Sequence, residues 1–232
     1  AVTQAGFQRQ YKYDLVGRLE RITYPAADET VWSTTNLAYE QVFSSVMGGT
    51  HLKQTVTTEQ AAGKVATRIV YLDALLRPAL TEEFDSSQKA MTLRSVATQF
   101  DAQGRSIYAS YPQRTQITSI HFTAPNGVNP YPPGTTTHYD SVGRVAQTLA
   151  DVEAIPGVTD TQAKTVISYD VSGKQVVDPR GYWTKTFFQL FDEPSEDAPI
   201  QVEDAVGITS ITRDAFSRPT AMARGSHVRQ YF

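Results

Sequence analysis

One phrase recurs seven times along this chain: an aromatic residue, Asp, two variable residues, Gly and a base. The clearest copies are Tyr13-Asp14-Leu15-Val16-Gly17-Arg18, Phe100-Asp101-Ala102-Gln103-Gly104-Arg105 and Tyr139-Asp140-Ser141-Val142-Gly143-Arg144. Tyr169-Asp170-Val171-Ser172-Gly173-Lys174 fits with Lys as the base. Three copies are degenerate: Leu72-Asp73-Ala74-Leu75-Leu76-Arg77, Phe191-Asp192-Glu193-Pro194-Ser195-Glu196 and Arg213-Asp214-Ala215-Phe216-Ser217-Arg218. A recurring unit constrains architecture before any single residue does, and it directs attention to scaffolds rather than enzymes.

Asp followed three residues later by Gly is a turn pattern. The carboxylate accepts from a backbone N–H two residues on, and Gly takes the left-handed conformation that other residues resist. A turn of this kind followed by a left-handed Gly is the common three-residue hairpin loop with a bulge. Residues rich in β-branched side chains flank the turns, as in Ala163-Lys164-Thr165-Val166-Ile167-Ser168-Tyr169 before one and Arg144-Val145-Ala146-Gln147-Thr148-Leu149 after another. Each repeat therefore reads as strand, tight turn, strand. The aromatic ends the incoming strand and is placed to pack across its own hairpin on the outgoing one. The base can lay its stem on apolar surface and turn its head to water or a nearby Asp. Positive φ is predicted at Gly17, Gly104, Gly143 and Gly173. Ser195 and Ser217 can stand in for Gly, whereas Leu76 predicts a different turn, because a branched side chain resists positive φ.

These residues resemble YD repeats, also called RHS repeats. The likeness extends to Arg18-Leu19-Glu20-Arg21-Ile22-Thr23-Tyr24-Pro25, similar to the family's outgoing strand. Asp178-Pro179-Arg180-Gly181-Tyr182-Trp183 and Asp204-Ala205-Val206-Gly207-Ile208-Thr209 are similar to its return segments. The family comprises bacterial RHS proteins, the B and C subunits of Tc insecticidal toxins, and teneurins. The resemblance implies an all-β chain of antiparallel hairpins, forming a curved or spiralling sheet that is part of a hollow shell. It implies partners too: the rest of the parent shell, an enclosed toxin polypeptide, and other subunits of a toxin complex. It implies a secreted or extracellular location. The alternative within the same resemblance is a glycan- or receptor-binding module.

The whole chain, 1–232, reads as one segment of a repeat array, with irregular insertions near 26–64, 124–135 and 151–162. The closing residues, from His227, read as half of a hairpin whose other half is missing, as in a fragment of a longer array. Gly134 falls in the Pro- and Gly-rich stretch and reads as a loop residue with room to adjust. A net charge of -3 gives no basic footprint for nucleic acid. No apolar run reaches membrane-spanning length. Cysteine is absent, which removes disulfides and thiolate metal sites.

No residue stands out for catalysis, cofactor or metal. His51, His121, His138 and His227 form no zinc pattern, and no nucleophile elbow or phosphate loop is present. Asp14, Asp101, Asp140 and Asp170 recur at turns, so turn capping accounts for them together. Asp178-Pro179-Arg180-Gly181 is similar to the family's self-cleaving motif, but Tyr182 stands where that motif has Leu, and it is read as an ordinary turn. The aromatics Tyr182, Trp183, Phe187 and Phe188 fall in one strand and are expected to pack between hairpins.

Overall fold

The computed structural model of the chain describes residues 2–4, 7–24, 33–60, 63–117, 132–152, 162–190 and 195–231. Phe191–Pro194 of one degenerate copy, most of 124–135 and most of 151–162 lie outside them. The fold is all-β and antiparallel, and the chain divides into two units, 1–134 and 135–232.

The first unit runs through β1 (Val2–Gln4), β2 (Phe7–Tyr13), β3 (Leu19–Thr23), β4 (Thr35–Ser44), β5 (Gly49–Glu59), β6 (Val65–Leu72), β7 (Pro78–Asp85), β8 (Arg94–Phe100) and β9 (Ser106–Ser110). Each strand pairs antiparallel with the next in sequence, so the unit is a meander. Among the described residues the one helix, α1 (Lys89–Thr92), is a single turn between β7 and β8. Its core is a small cluster of Ala79, Leu80, Ala97 and Ile117, with Val46, Met47 and Tyr71 packed against it. Tyr71 faces Leu80 and Leu80 faces Ala97 across three strands, so the register stacks these side chains on one face. Ile117 is brought over that face by the segment after β9, where Gln113 and Ser95 exchange backbone bonds of 2.8 and 2.9 Å.

The second unit is a meander of β10 (Gly134–Tyr139), β11 (Val145–Asp151), β12 (Gln162–Tyr169), β13 (Gly173–Val177), β14 (Trp183–Phe188), β15 (Pro199–Asp204), β16 (Gly207–Arg213), β17 (Pro219–Arg224) and β18 (His227–Gln230). β12 alternates between half-buried and exposed residues along its whole length, and β16 does the same. β11 is half-buried at every position, so neither face is closed over. Among the unit's described apolar residues only Phe188 and Ala198 are fully buried.

Three expectations need correction here. Residues 35–59, read as part of an irregular insertion, form the longest hairpin among the described residues, β4–β5, with ten paired positions from Thr35↔Thr58 to Ser44↔Gly49. Its turn, Ser45–Gly48, lacks the phrase, so no copy of the repeat marks this hairpin in the sequence. The residues from His227 are not half of an interrupted hairpin, since β18 pairs with β17 around Gly225. Gly134 is buried: a Cβ there would lie 2.4 Å from Ala109 O and 2.8 Å from Ser110 Cα.

Candidate functional site: a repeated turn edge

At Asp14 the phrase closes on itself. The Asp14 N–H donates to Arg18 O (2.8 Å), and the Gly17 N–H donates to Asp14 O (3.1 Å). Asp14 Oδ1 accepts from the N–H groups of Val16 (3.0 Å) and Arg18 (2.8 Å), and Oδ2 accepts from Arg18 Nε (2.7 Å). Both carboxylate oxygens are thereby engaged within five residues, and the base is held by its own repeat's acid. The same five bonds recur at Asp73, Asp101, Asp140 and Asp214, and across all five copies they span 2.6–3.1 Å. The strand register slips by one residue just before each of these Asp residues, as the bulged loop requires.

Positive φ is found at Gly17 (82°), Gly104 (86°) and Gly143 (92°), as the phrase predicts. Leu76 corrects the reading of its copy: its φ is 60°, and it makes the same turn rather than a different one. The five surrounding bonds over-determine the backbone, and an exposed Leu side chain meets no further obstacle. Ser217 takes φ 62° in the place of Gly. Asp178 makes four of the five bonds with Gly181 at φ 83°, and Tyr182 fills the position of the base.

The Tyr169–Lys174 copy departs from the others. Asp170 N–H donates directly to Gly173 O (2.9 Å), which shortens the turn to Val171-Ser172. Gly173 lies in β13 and lacks the positive φ predicted for it. Glycine is needed there for a different reason: a Cβ would stand 2.6 Å from Thr186 O on the neighbouring strand. Asp170 takes Lys185 of β14 as its ion partner (2.9 Å), and Lys174 pairs with Glu196.

The aromatic of the phrase does not simply pack within its own hairpin. The base of one turn lies over an aromatic of the next hairpin on the same edge. Arg18 is 4.7 Å from the ring centre of Tyr39, Arg77 4.5 Å from Phe100, and Arg144 4.1 Å from Tyr169. Lys174 stands 5.8 Å from Phe188 in the same relation. Tyr169 Oη also donates to Val145 O of the preceding hairpin (3.0 Å). Arg18, Arg77 and Arg144 thus join their own carboxylates to a neighbour's π face, whereas Arg218 lies 5.3 Å from Phe216 of its own turn. The sequence carried base and aromatic but not which hairpin each would meet.

The carboxyls of Asp14, Asp73, Asp101, Asp140, Asp170, Asp204 and Asp214 are held below the ordinary Asp range. At Asp14 the Arg18 N–H is the main cause; at Asp214 it is the Arg218 side chain. At Asp73, Asp101 and Asp140 desolvation works the other way, but the N–H and guanidinium of the Arg four residues on outweigh it. Lys185 leads the lowering at Asp170, and the Val206 N–H leads it at Asp204. Each such carboxylate accepts bonds within its own turn or from the adjacent strand, which holds it in the charged form.

Among the described residues no three His, Cys, Asp or Glu side chains group to hold a metal. His138 lies exposed in β10, as a strand-face residue. Of the aromatics 182–188, Phe188 is buried while Tyr182 and Trp183 are exposed. Nothing in the local sequence points to Glu82 and Ser95, which face each other across β7 and β8, fully buried. Glu82 Oε1 and Ser95 Oγ have no hydrogen-bond partner, and Lys89 Nζ is 3.8 Å from the other carboxylate oxygen. No helix among the described residues is long and apolar enough to cross a membrane. No protein-family model matches the chain, and no curated protein matches it.

Proposed function

We propose that this chain is a structural segment of a YD-repeat (RHS-repeat) shell, of the kind found in bacterial RHS and Tc-type toxins, whose task is to enclose and protect a toxin polypeptide. The observation that carries this reading is the repeated turn: one carboxylate–arginine closure recurs, and four of the bases, Arg18, Arg77, Arg144 and Lys174, reach the next hairpin, a linkage suited to extending a strip rather than to binding a substrate. The half-exposed faces of the second unit support it. A one-layer sheet must bury a face against something to be stable, and a shell's contents and neighbouring turns supply that cover. In this reading the chain is not an enzyme, needs no cofactor, acts outside the producing cell, and has the remainder of the shell and its cargo as partners.

The test is electron microscopy of the intact gene product combined with limited proteolysis. The expected result is a closed wall around internal density, with a cargo segment that resists protease until the wall is opened by denaturant. An open strip without a lumen, or a cargo segment cut as fast in the intact protein as alone, overturns the reading. A glycan- or receptor-binding strip is favoured by one observation, the exposed rings of Tyr182 and Trp183. Glycan-array binding lost in Trp183→Ala would select that alternative.

A further inference from the structure

Glu82 is the only charged side chain that is fully buried among the described residues. It stands opposite Ser95 on β8, with Ile69 of β6 on its other side. Ser95 uses its own N–H and C=O on Gln113. Glu82 and Ser95 are therefore the kind of cross-strand pair that shares no backbone bond and brings side chains closest. Neither side chain gains from that closeness. Glu82 Oε1 and Ser95 Oγ both lack a hydrogen-bond partner and both are shut off from water. Among the described residues the only base within ion-pair distance is Lys89, whose Nζ lies 3.8 Å from Oε2, beyond hydrogen-bond reach. Lys53, two strands away on the same face, is taken by Glu40. A buried carboxylate held this loosely favours any arrangement that returns it to water.

Lys89 belongs to the segment that carries α1. At one end Ser86 is fixed to β6, by its N–H on Val65 O (2.9 Å) and its Oγ against Thr67 Oγ1 (2.6 Å). At the other end Leu93 is buried. Every residue between, from Ser87 to Thr92, is exposed, and α1 has no side-chain cap. The bonds of this stretch are local. Thr92 Oγ1 accepts from the Asp85 N–H (2.9 Å) and donates to Gln88 O (2.9 Å), and the Leu93 N–H donates to Lys89 O (2.9 Å). Lys89 joins the stretch to the core face: its Nζ lies 4.5 Å from the centre of the Phe84 ring and points on toward Glu82.

We infer that residues 87–92 form a strap that lifts as one piece from the core face, hinged at Ser86 and Leu93, with Lys89 on Glu82 as its latch. Lifting admits water to Glu82 Oε1 and Ser95 Oγ while the pairing of β7 with β8 stays intact. Closed, the strap keeps water from this end of the Leu80–Ala97 cluster. The device is independent of the shell reading, which stands or falls on the lumen.

The chain has no cysteine, so one introduced thiol reports the opening. In Ser95→Cys a small disulfide reagent should label the thiol in native buffer. The rate should be nearly independent of urea below the unfolding transition, because lifting exposes little surface. Val70→Cys, buried on the opposite face, should be labelled only as fast as global unfolding allows. Adding Lys89→Ala to Ser95→Cys should raise its rate about tenfold, and adding Glu82→Met, which removes the charge that water relieves, should lower it. Carbodiimide footprinting of the chain without a new thiol gives a second reading: Glu82 should be modified in native buffer, and faster in Lys89→Ala. The proposal is overturned if Ser95→Cys labelling rises with urea as steeply as that of Val70→Cys, or if Lys89→Ala leaves the rate unchanged. It is overturned equally by faster labelling in Glu82→Met, or by a Glu82 that resists carbodiimide with and without Lys89.

Discussion

Leu76 shows what the turn can impose on a residue. Its φ of 60° is costly for a branched side chain, by roughly 1–2 kcal/mol relative to the right-handed region. The side chain is 65% exposed, so it recovers little of that through burial. Leu76→Gly removes the strain and adds about 0.5–1 kcal/mol of unfolded-chain entropy to be overcome. The net expectation is a gain of about 0.5–1 kcal/mol, read by urea denaturation, and an unchanged or lower midpoint would mean that the turn does not strain this residue. Gly134 and Gly143 supply the opposite case. Gly143→Val should cost about 1–2 kcal/mol through its positive φ. Gly134→Val should cost more, because its Cβ would meet backbone atoms at 2.4 and 2.8 Å that cannot give way as a side chain tip can. Thermal melts of the two variants check the order. The sequence suggests the reverse, since Pro132-Pro133-Gly134 reads as open loop. What it cannot display is that the chain passes hard against Ala109 and Ser110, residues remote in sequence.

At the scale of the element, the hairpin edge couples charge to backbone. Asp14, Asp73, Asp85, Asp101, Asp140, Asp170, Asp204 and Asp214 all have carboxyls lowered by the bonds they accept. A depressed folded-state value means stability that is present in full above the unfolded value, about 3.9, and is lost as pH falls through the folded values. Thermal stability should therefore stay level from neutral pH to about 5 and fall steeply below about 4, because several protons are taken up together. Asp101→Asn should shallow that fall by close to one proton, measured as melting temperature against pH. A profile whose slope is the same in Asp101→Asn would show that the carboxylate is not an acid-sensitive tie. These turns were legible in the sequence because every bond in them joins residues at most four apart. The β4–β5 hairpin was not, since ten cross-strand pairs leave no local phrase. Nor was the stacking of Arg144 on Tyr169, which depends on which strands become neighbours.

At the scale of the molecule, the two units differ in what holds them. The first has a packed cluster in which Leu80 and Ala97 are inaccessible and Ile117 closes one side. The second relies on strand pairing, turn closure and cation–π contacts, with β11 half-buried throughout and β18 exposed at all four residues. Burial of a Leu contributes about 1.5–3 kcal/mol, whereas an exposed ion pair contributes about 0–1. Repeating turns therefore specify the hairpins of the second unit without giving them much reserve against opening. All-β class and hairpin repetition could be read from spacing alone, but this inequality could not, because the phrase is equally good in both units. Hydrogen exchange of the intact chain should show it. Amides of Leu80 and Ala97 should exchange most slowly, near the rate set by global unfolding, and those of β16–β18 faster by about tenfold or more. Equal protection in both units would mean that strand pairing and turn closure alone suffice to hold a one-layer sheet, and that the buried cluster is not where the stability of the chain resides.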